Sequence, residues 1–289
     1  LFLFSNNYLV DLNEIPKNGV WITFLGSQNN KNVFRLIVQT RNFGNHNLVI
    51  NLNEGFERDF IEDETKWLIK MGAGFKGTSL SESFGGYWPE HNIYTEEYIQ
   101  GETLDDYLKR NREDIKNKAR VDRWLHFIWS GIQAYQEFWE RTNLQLSIQP
   151  PSPKNLIIPQ HDYKDGSRLI SISSRKPVKS LTKHFLSLYT EYIVNTEKKY
   201  PGLNHMSDWE VIFTATIQAL KVNKGKEVLE NLKDEIELSN FAKECELVGL
   251  TKDRINQFLD EILNLGVLTK PVVFALSLIH ISEPTRHCL

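Results

Sequence analysis

The segment Ile148-Gln149-Pro150-Pro151-Ser152-Pro153-Lys154-Asn155-Leu156-Ile157-Ile158 decides how this chain is read. Its proline-rich half reads as a loop and its apolar end as a strand. A turn at Asp165-Gly166 follows, then Arg168-Leu169-Ile170-Ser171-Ile172-Ser173-Ser174 as a second strand. Ahead of the loop, Val121 to Arg141 is the strongest helix in the chain. Val121, Trp124, Leu125, Ile128, Trp129, Ile132, Tyr135, Phe138 and Trp139 trace a broad apolar stripe along it. Three tryptophans could form a sugar or base platform, but these spacings are what a buried central helix needs. Such a helix sets the loop at the mouth of a cleft.

Together these elements resemble the catalytic segment of the protein-kinase-like and aminoglycoside-phosphotransferase-like superfamily. That segment reads His-Gly-Asp-x-His-Pro-x-Asn, an apolar strand, a turn, and a second strand ending in Ile-Asp. Pro153-Lys154-Asn155-Leu156-Ile157 matches its second half. The two acids are replaced. By the resemblance, the catalytic Asp falls on Pro150 and the metal-binding Asp on Ser173. Phosphoryl transfer needs a carboxylate near the acceptor and oxygen ligands for magnesium. Pro150 cannot accept a proton, and the Ser173 hydroxyl is uncharged. Asn155 could still ligate a metal. It is read here as bracing the loop through backbone hydrogen bonds.

Outward toward the N-terminus, residues 1 to 18 read as a lead-in. Val20 to Leu25, Asn32 to Thr40 and Leu48 to Leu52 read as strands, and Phe56 to Met71 as a helix. That order is how a kinase-like N-lobe opens. The first turn of such a lobe is glycine-rich. Here it holds Gly26 alone, and an ordinary hairpin is the better reading. The lysine of the third strand falls near Asn51, and no Lys lies between Leu48 and Phe56. Glu64 takes the place of the helix glutamate that would pair with it, and reads as a surface acid.

Tyr94-Thr95-Glu96-Glu97-Tyr98-Ile99-Gln100-Gly101-Glu102-Thr103-Leu104 is similar to the linker between the lobes of small-molecule phosphotransferases. There the backbone meets an adenine edge. Thr103 reads as the N-cap of a helix over Leu104 to Arg110, with Asp106 at the capping-box position. The resemblance thus gives a residual nucleotide cleft of Glu97, Tyr98, Ile99, Asn155 and Ser173. It gives no catalytic residue and no metal ligand. ATP with magnesium is the cofactor it implies, with no certain cofactor assigned.

Beyond Ser174, Ser180 to Lys199 and Asp208 to Lys221 read as helices separated by Pro201-Gly202. Ser239 to Val248 and Lys252 to Leu265 read as a helical pair with Thr251 as N-cap. From Gly249 to Leu268 the chain is similar to the recognition part of winged helix-turn-helix domains. Asp253, Asp260 and Glu261 offset Lys252 and Arg254, which argues against a phosphate backbone as partner. Leu276 to Arg286 looks like a translated sequencing adapter, so 276–289 is set aside.

The expected fold is α+β and two-lobed, with a small antiparallel-sheet N-lobe (1–96) and a mostly helical C-lobe (97–235). A winged-helix-like segment (236–275) and the adapter-derived tail (276–289) follow. The formal net charge of −3 over 289 residues gives no electrostatic case for nucleic acid or an anionic membrane. No apolar run approaches the roughly 20 residues that span a bilayer. One cysteine remains once the tail is set aside, which fits a reducing cytosol. The start reads as internal to a longer protein. The resulting expectation is a catalytically degenerate, pseudokinase-like module, cytoplasmic, that regulates or scaffolds a protein partner or other domains of its parent chain. Two alternatives stand beside it. One is an atypical phosphotransferase using Glu64, Glu96, Asp162 or Asp165. The other is a DNA-associated regulator acting through the C-terminal helix pair.

Overall fold

The computed structural model describes residues 2–5, 8–28, 30–42, 44–55, 58–72, 84–111, 118–143, 145–160, 166–177, 181–200, 227, 230–232, 234–236, 240–247 and 251–265. The fold is α+β, with an antiparallel sheet and several helices. It divides into two compact units, Leu1–Gly101 and Glu102–Leu289.

The first unit begins with a hairpin of β1 (Phe2–Ser5) and β2 (Tyr8–Asp11), where the sequence reads as a lead-in. Alternation of side chains had no length to show itself in strands of four residues. Next come β3 (Val20–Gln28), β4 (Lys31–Thr40) and β5 (Gly44–Asn53). Both hairpin turns are shorter than the polar residues around them suggest, because Ser27, Lys31 and Asn45 pair inside the ladders. Helix α1 (Arg58–Gly72) follows, then β6 (Phe84–Trp88) and β7 (Ile93–Glu97). The sheet order is β3-β4-β5-β7-β6, antiparallel throughout.

Period-2 alternation gives this sheet two unlike faces. Val38 and Leu48 are buried on one, with Ile15, Leu36 and Trp88 packed against them. The other carries Arg35, Asn47, Asn51, Tyr94 and Glu96, which share a face through the β4–β5–β7 register. Helix α1 lies against β6 and β7 and buries Ile61, Glu64, Thr65 and Leu68. Those positions recur at three, four and seven residues, a helical face. Glu64, read from sequence as a surface acid, is only 1 % exposed. The stripe falls one step away from the Phe60–Trp67 line, and that turns Glu64 inward. Phe56 lies outside the described residues.

The chain crosses into the second unit in β8 (Gly101–Thr103), which leads directly into α2 (Leu104–Arg110). The Thr103 hydroxyl accepts the Asp106 N–H at 3.0 Å and donates to the Asp106 carboxylate at 2.7 Å. The cap thus forms where the sequence puts it. Helix α3 (Lys118–Arg141) buries Phe127, Ile128, Ile132, Ala134, Tyr135, Phe138 and Trp139. This bears out the core reading for Ile128, Ile132, Tyr135, Phe138 and Trp139, and Phe127 and Ala134 join them. The side chains of Val121, Trp124, Leu125 and Trp129 lie outside the described set.

Three short strands follow α3. They are β9 (Leu146–Ile148), β10 (Leu156–Pro159) and β11 (Arg168–Leu169). A fourth, β12 (Arg175–Pro177), pairs antiparallel with β9. Strands β11, β10 and β8 form a second small sheet in that order. The second strand of the sequence reading is therefore only two residues long. Beyond it, Ile170 keeps the same register and donates its N–H to the Asn155 carbonyl at 2.8 Å. Residues 181–199 form one helical run: α4 (Leu181–Tyr189), a π-helical stretch (Thr190–Asn195) and α5 (Thr196–Lys199). Residues 208–221 lie outside the described residues.

Near the C-terminus, α6 (Phe241–Glu246) packs against that π stretch and against α7 (Lys252–Leu265). Thr251 caps α7, its hydroxyl accepting the Arg254 N–H at 3.3 Å. Cys245, Ile255 and Leu259 are buried along the pair. The expected wing at Gly266 to Leu268 lies outside the described residues, as does the tail. No described helix is long and apolar enough to cross a membrane.

Candidate functional site

In the second unit, the loop between β9 and β10 is fixed at both ends. Behind it, the β9–β12 ladder pairs Ile148 with Arg175, and the Gln149 N–H donates to the Ser174 carbonyl at 3.1 Å. Pro150, after a cis Gln149–Pro150 peptide, and Ser173 follow directly on that bonded pair. Ahead of it, Ser152 accepts from the Asn155 N–H at 3.0 Å and its hydroxyl caps a short 3-10 turn over Pro153–Asn155. The apolar residues of β10 hold the far end, with Leu156 and Ile158 at most 1 % exposed.

Helix α3 supplies the floor. The Tyr135 hydroxyl donates to the Ser152 carbonyl at 2.8 Å. The Asn155 side chain lies beside the Tyr135 phenol. The sequence reading has Asn155 bracing the loop through backbone groups. Its own backbone ties the loop down, the N–H donating to the Ser152 carbonyl and the carbonyl accepting the Ile170 N–H at 2.8 Å. Nothing in the sequence around Tyr135 marks it as the partner of the Ser152 carbonyl. Burial raises the Tyr135 pKa and outweighs the opposite pull of Tyr192 and Asn155. The wholly buried Tyr192 hydroxyl also faces the Tyr135 oxygen, but outside full hydrogen-bond distance and angle. This is a braced, neutral loop with no carboxylate at Pro150 or Ser173.

Close packing seats β10 on α3. A Cβ at Gly131 would lie 2.4 Å from Leu156 Cδ1 and 3.6 Å from the Tyr192 ring. Beside it, Ser130 Oγ accepts the Ser167 N–H at 2.7 Å, and Ser167 Oγ donates to the Phe127 carbonyl at 2.9 Å. This clasp fixes the turn at Gly166, whose φ is +72°. Asp162 and Asp165 lie outside the described residues.

The remaining candidates belong to the first unit. The Tyr98 N–H donates to the Asn47 carbonyl at 3.1 Å, so that backbone donor is already engaged. The Tyr98 ring lies 4.4 Å from the Arg35 guanidinium, which also donates to Asn47 Oδ1 at 2.8 Å. Glu97 and Ile99 are half-buried on either side. Asn51, at the expected lysine position, donates to Glu96 Oε1 at 2.6 Å, and both side chains are buried. Lys31 donates to the Tyr94 hydroxyl at 2.8 Å nearby. The sequence missed this polar row because it depends on the register of three strands. Among the described residues, no three His, Cys, Asp or Glu side chains gather as a metal site.

No protein-family model matches the chain, and no curated protein is significantly similar to it.

Proposed function

We propose that the chain is a kinase-like, two-lobed module that has lost phosphoryl transfer and serves a regulatory or scaffolding role toward a protein partner. What supports this reading is the ladder of β9 and β12. Positions 150 and 173, where the resemblance puts the two catalytic acids, follow directly on the bonded pair Gln149 and Ser174. They lie at one end of one loop system, as phosphoryl transfer would require of them, yet hold a proline and a serine. Asn155, the third member of the motif, is tied through its backbone to Ser152 and Ile170. The cleft is a protein-facing feature in this reading, and any nucleotide there binds without turnover.

Two measurements on the full chain test it. Magnesium-dependent ATP turnover with small-molecule and protein acceptors should stay at background. A thermal shift with ATP, with and without magnesium, reports on the pocket independently, because a ligand stabilises the state it binds. Robust transfer that disappears on replacing Asn155 would overturn the proposal.

A further inference from the structure

Strand β3 is the outer strand of the five-stranded sheet, bonded to β4 along one side. Val20, Trp21, Ile22, Phe24 and Leu25 along it are between 47 % and 61 % exposed. Between Val20 and Gln28 there is no charge and no proline. Edge strands are ordinarily protected by such residues. A bulge between Phe24 and Gly26 ends the regular part, so Val20–Phe24 is a straight pairing edge.

The register shows which backbone groups face outward. The Gly19 carbonyl accepts the Gln39 N–H at 2.7 Å, and the ladder continues with Val20 opposite Val38. Bonded and non-bonded pairs alternate in an antiparallel ladder. Gly19, Trp21 and Thr23 therefore turn their backbone groups to β4. Val20, Ile22 and Phe24 turn theirs away from it.

We infer that β3 is the seat of a two-fold homodimer, pairing antiparallel with β3 of a second copy about Ile22. The outward residues fall at even spacing about that centre. Ile22 meets Ile22 of the second copy, and Val20 meets Phe24, each as a bonded pair. Val20, Ile22 and Phe24 of both copies then form one apolar row on one face. Trp21 meets Thr23 on the other. A strand that is its own complement suits an isologous interface. Being uncharged, it sets no like charges opposite one another. The half-exposed side chains offer roughly 500 Å² a copy, or about 1,000 Å² for the pair, the lower bound of a specific interface.

The test uses the full chain with Cys288→Ser, so that the buried Cys245 is the one native thiol beside any introduced cysteine. Sedimentation equilibrium across a dilution series should give twice the 33.7 kDa chain mass at the concentrated end. Ile22→Lys should restore the single-chain mass with the melting temperature unchanged. Should that variant lose stability, Val20→Lys repeats the test at the other end of the edge. Ile22→Cys should cross-link under mild oxidation, because bonded pairs stand about 5.5 Å apart at Cα, within disulfide range. Thr23→Cys, which faces Trp21, should not. A single-chain mass at every concentration overturns the inference. So does a dimer that survives Ile22→Lys in a folded protein, as it would if another surface or a foreign strand were the true occupant, and so does equal cross-linking at Thr23.

Discussion

The Asn51 carboxamide donates to the Glu96 carboxylate at 2.6 Å across β5 and β7, with both side chains buried. Hydrogen bonds to a charged group contribute about 1.5–3 kcal/mol, and a buried acceptor stripped of its donor costs more than a bond never made. Asn51→Leu should therefore lower the unfolding free energy by roughly 2–3 kcal/mol, read from the urea midpoint. Adding Glu96→Gln should recover part of that loss. Full additivity of the two substitutions would show that the pair is not coupled.

The His184 imidazole stacks on Trp139, with ring centroids 4.6 Å apart, and burial lowers its pKa to about 3. The unfolded chain protonates this group near pH 6.5. Between those values the unfolded state holds the extra proton, so stability falls as pH falls. The contribution is fully present above pH 6.5 and declines by up to about 1.4 kcal/mol per pH unit below it. His184→Phe should flatten that part of the profile. Urea unfolding at neutral and mildly acid pH reads the difference, and equal losses in parent and variant would count against a buried neutral imidazole.

Ser130 Oγ receives the buried Ser167 N–H. Ser130→Ala leaves that N–H without its acceptor, at a cost of about 1–3 kcal/mol. Ser167→Ala keeps the backbone bond and removes only the hydroxyl donor to Phe127. It should cost less, about 1 kcal/mol. Amide hydrogen exchange at Ser167 separates the two, since only Ser130→Ala should accelerate it strongly.

Tyr135 holds the loop through Ser152, and the Asn155 side chain lies beside the Tyr135 phenol. Tyr135→Phe removes the donor to the Ser152 carbonyl and should lower stability by about 1 kcal/mol, read from the urea midpoint. Any thermal shift produced by ATP should be the same in Asn155→Ala as in the parent. A selective loss of that shift would mark Asn155 as a ligand-binding group.

Local signals carried much of this architecture. The Thr103 and Thr251 caps and the run of α3 are written in neighbours three or four residues apart, and the strands β3 to β5 in residues two apart. The hairpin of β1 and β2 was hidden, since four-residue strands give no period to read. Glu64 was misplaced because the inward face of α1 lies one position from the aromatic line that marks it. In the candidate site, Asn155 was visible, but the neighbouring Tyr135 was not. Their meeting depends on how β10 settles on α3 at Gly131. The Asn51–Glu96 pair spans 45 residues and rests on register alone.

One more property follows from the π-helical stretch of Thr190–Asn195, where the Thr196 hydroxyl reaches back to the Glu191 carbonyl. A wide turn holds one residue more than an ordinary revolution. Deleting a residue there would tighten the coil and leave the flanking segments aimed as before. The same deletion in Leu181–Tyr189 would swing everything downstream by roughly 100°. The polypeptide thus carries a slack link at which its length can change while its neighbours keep their bearings.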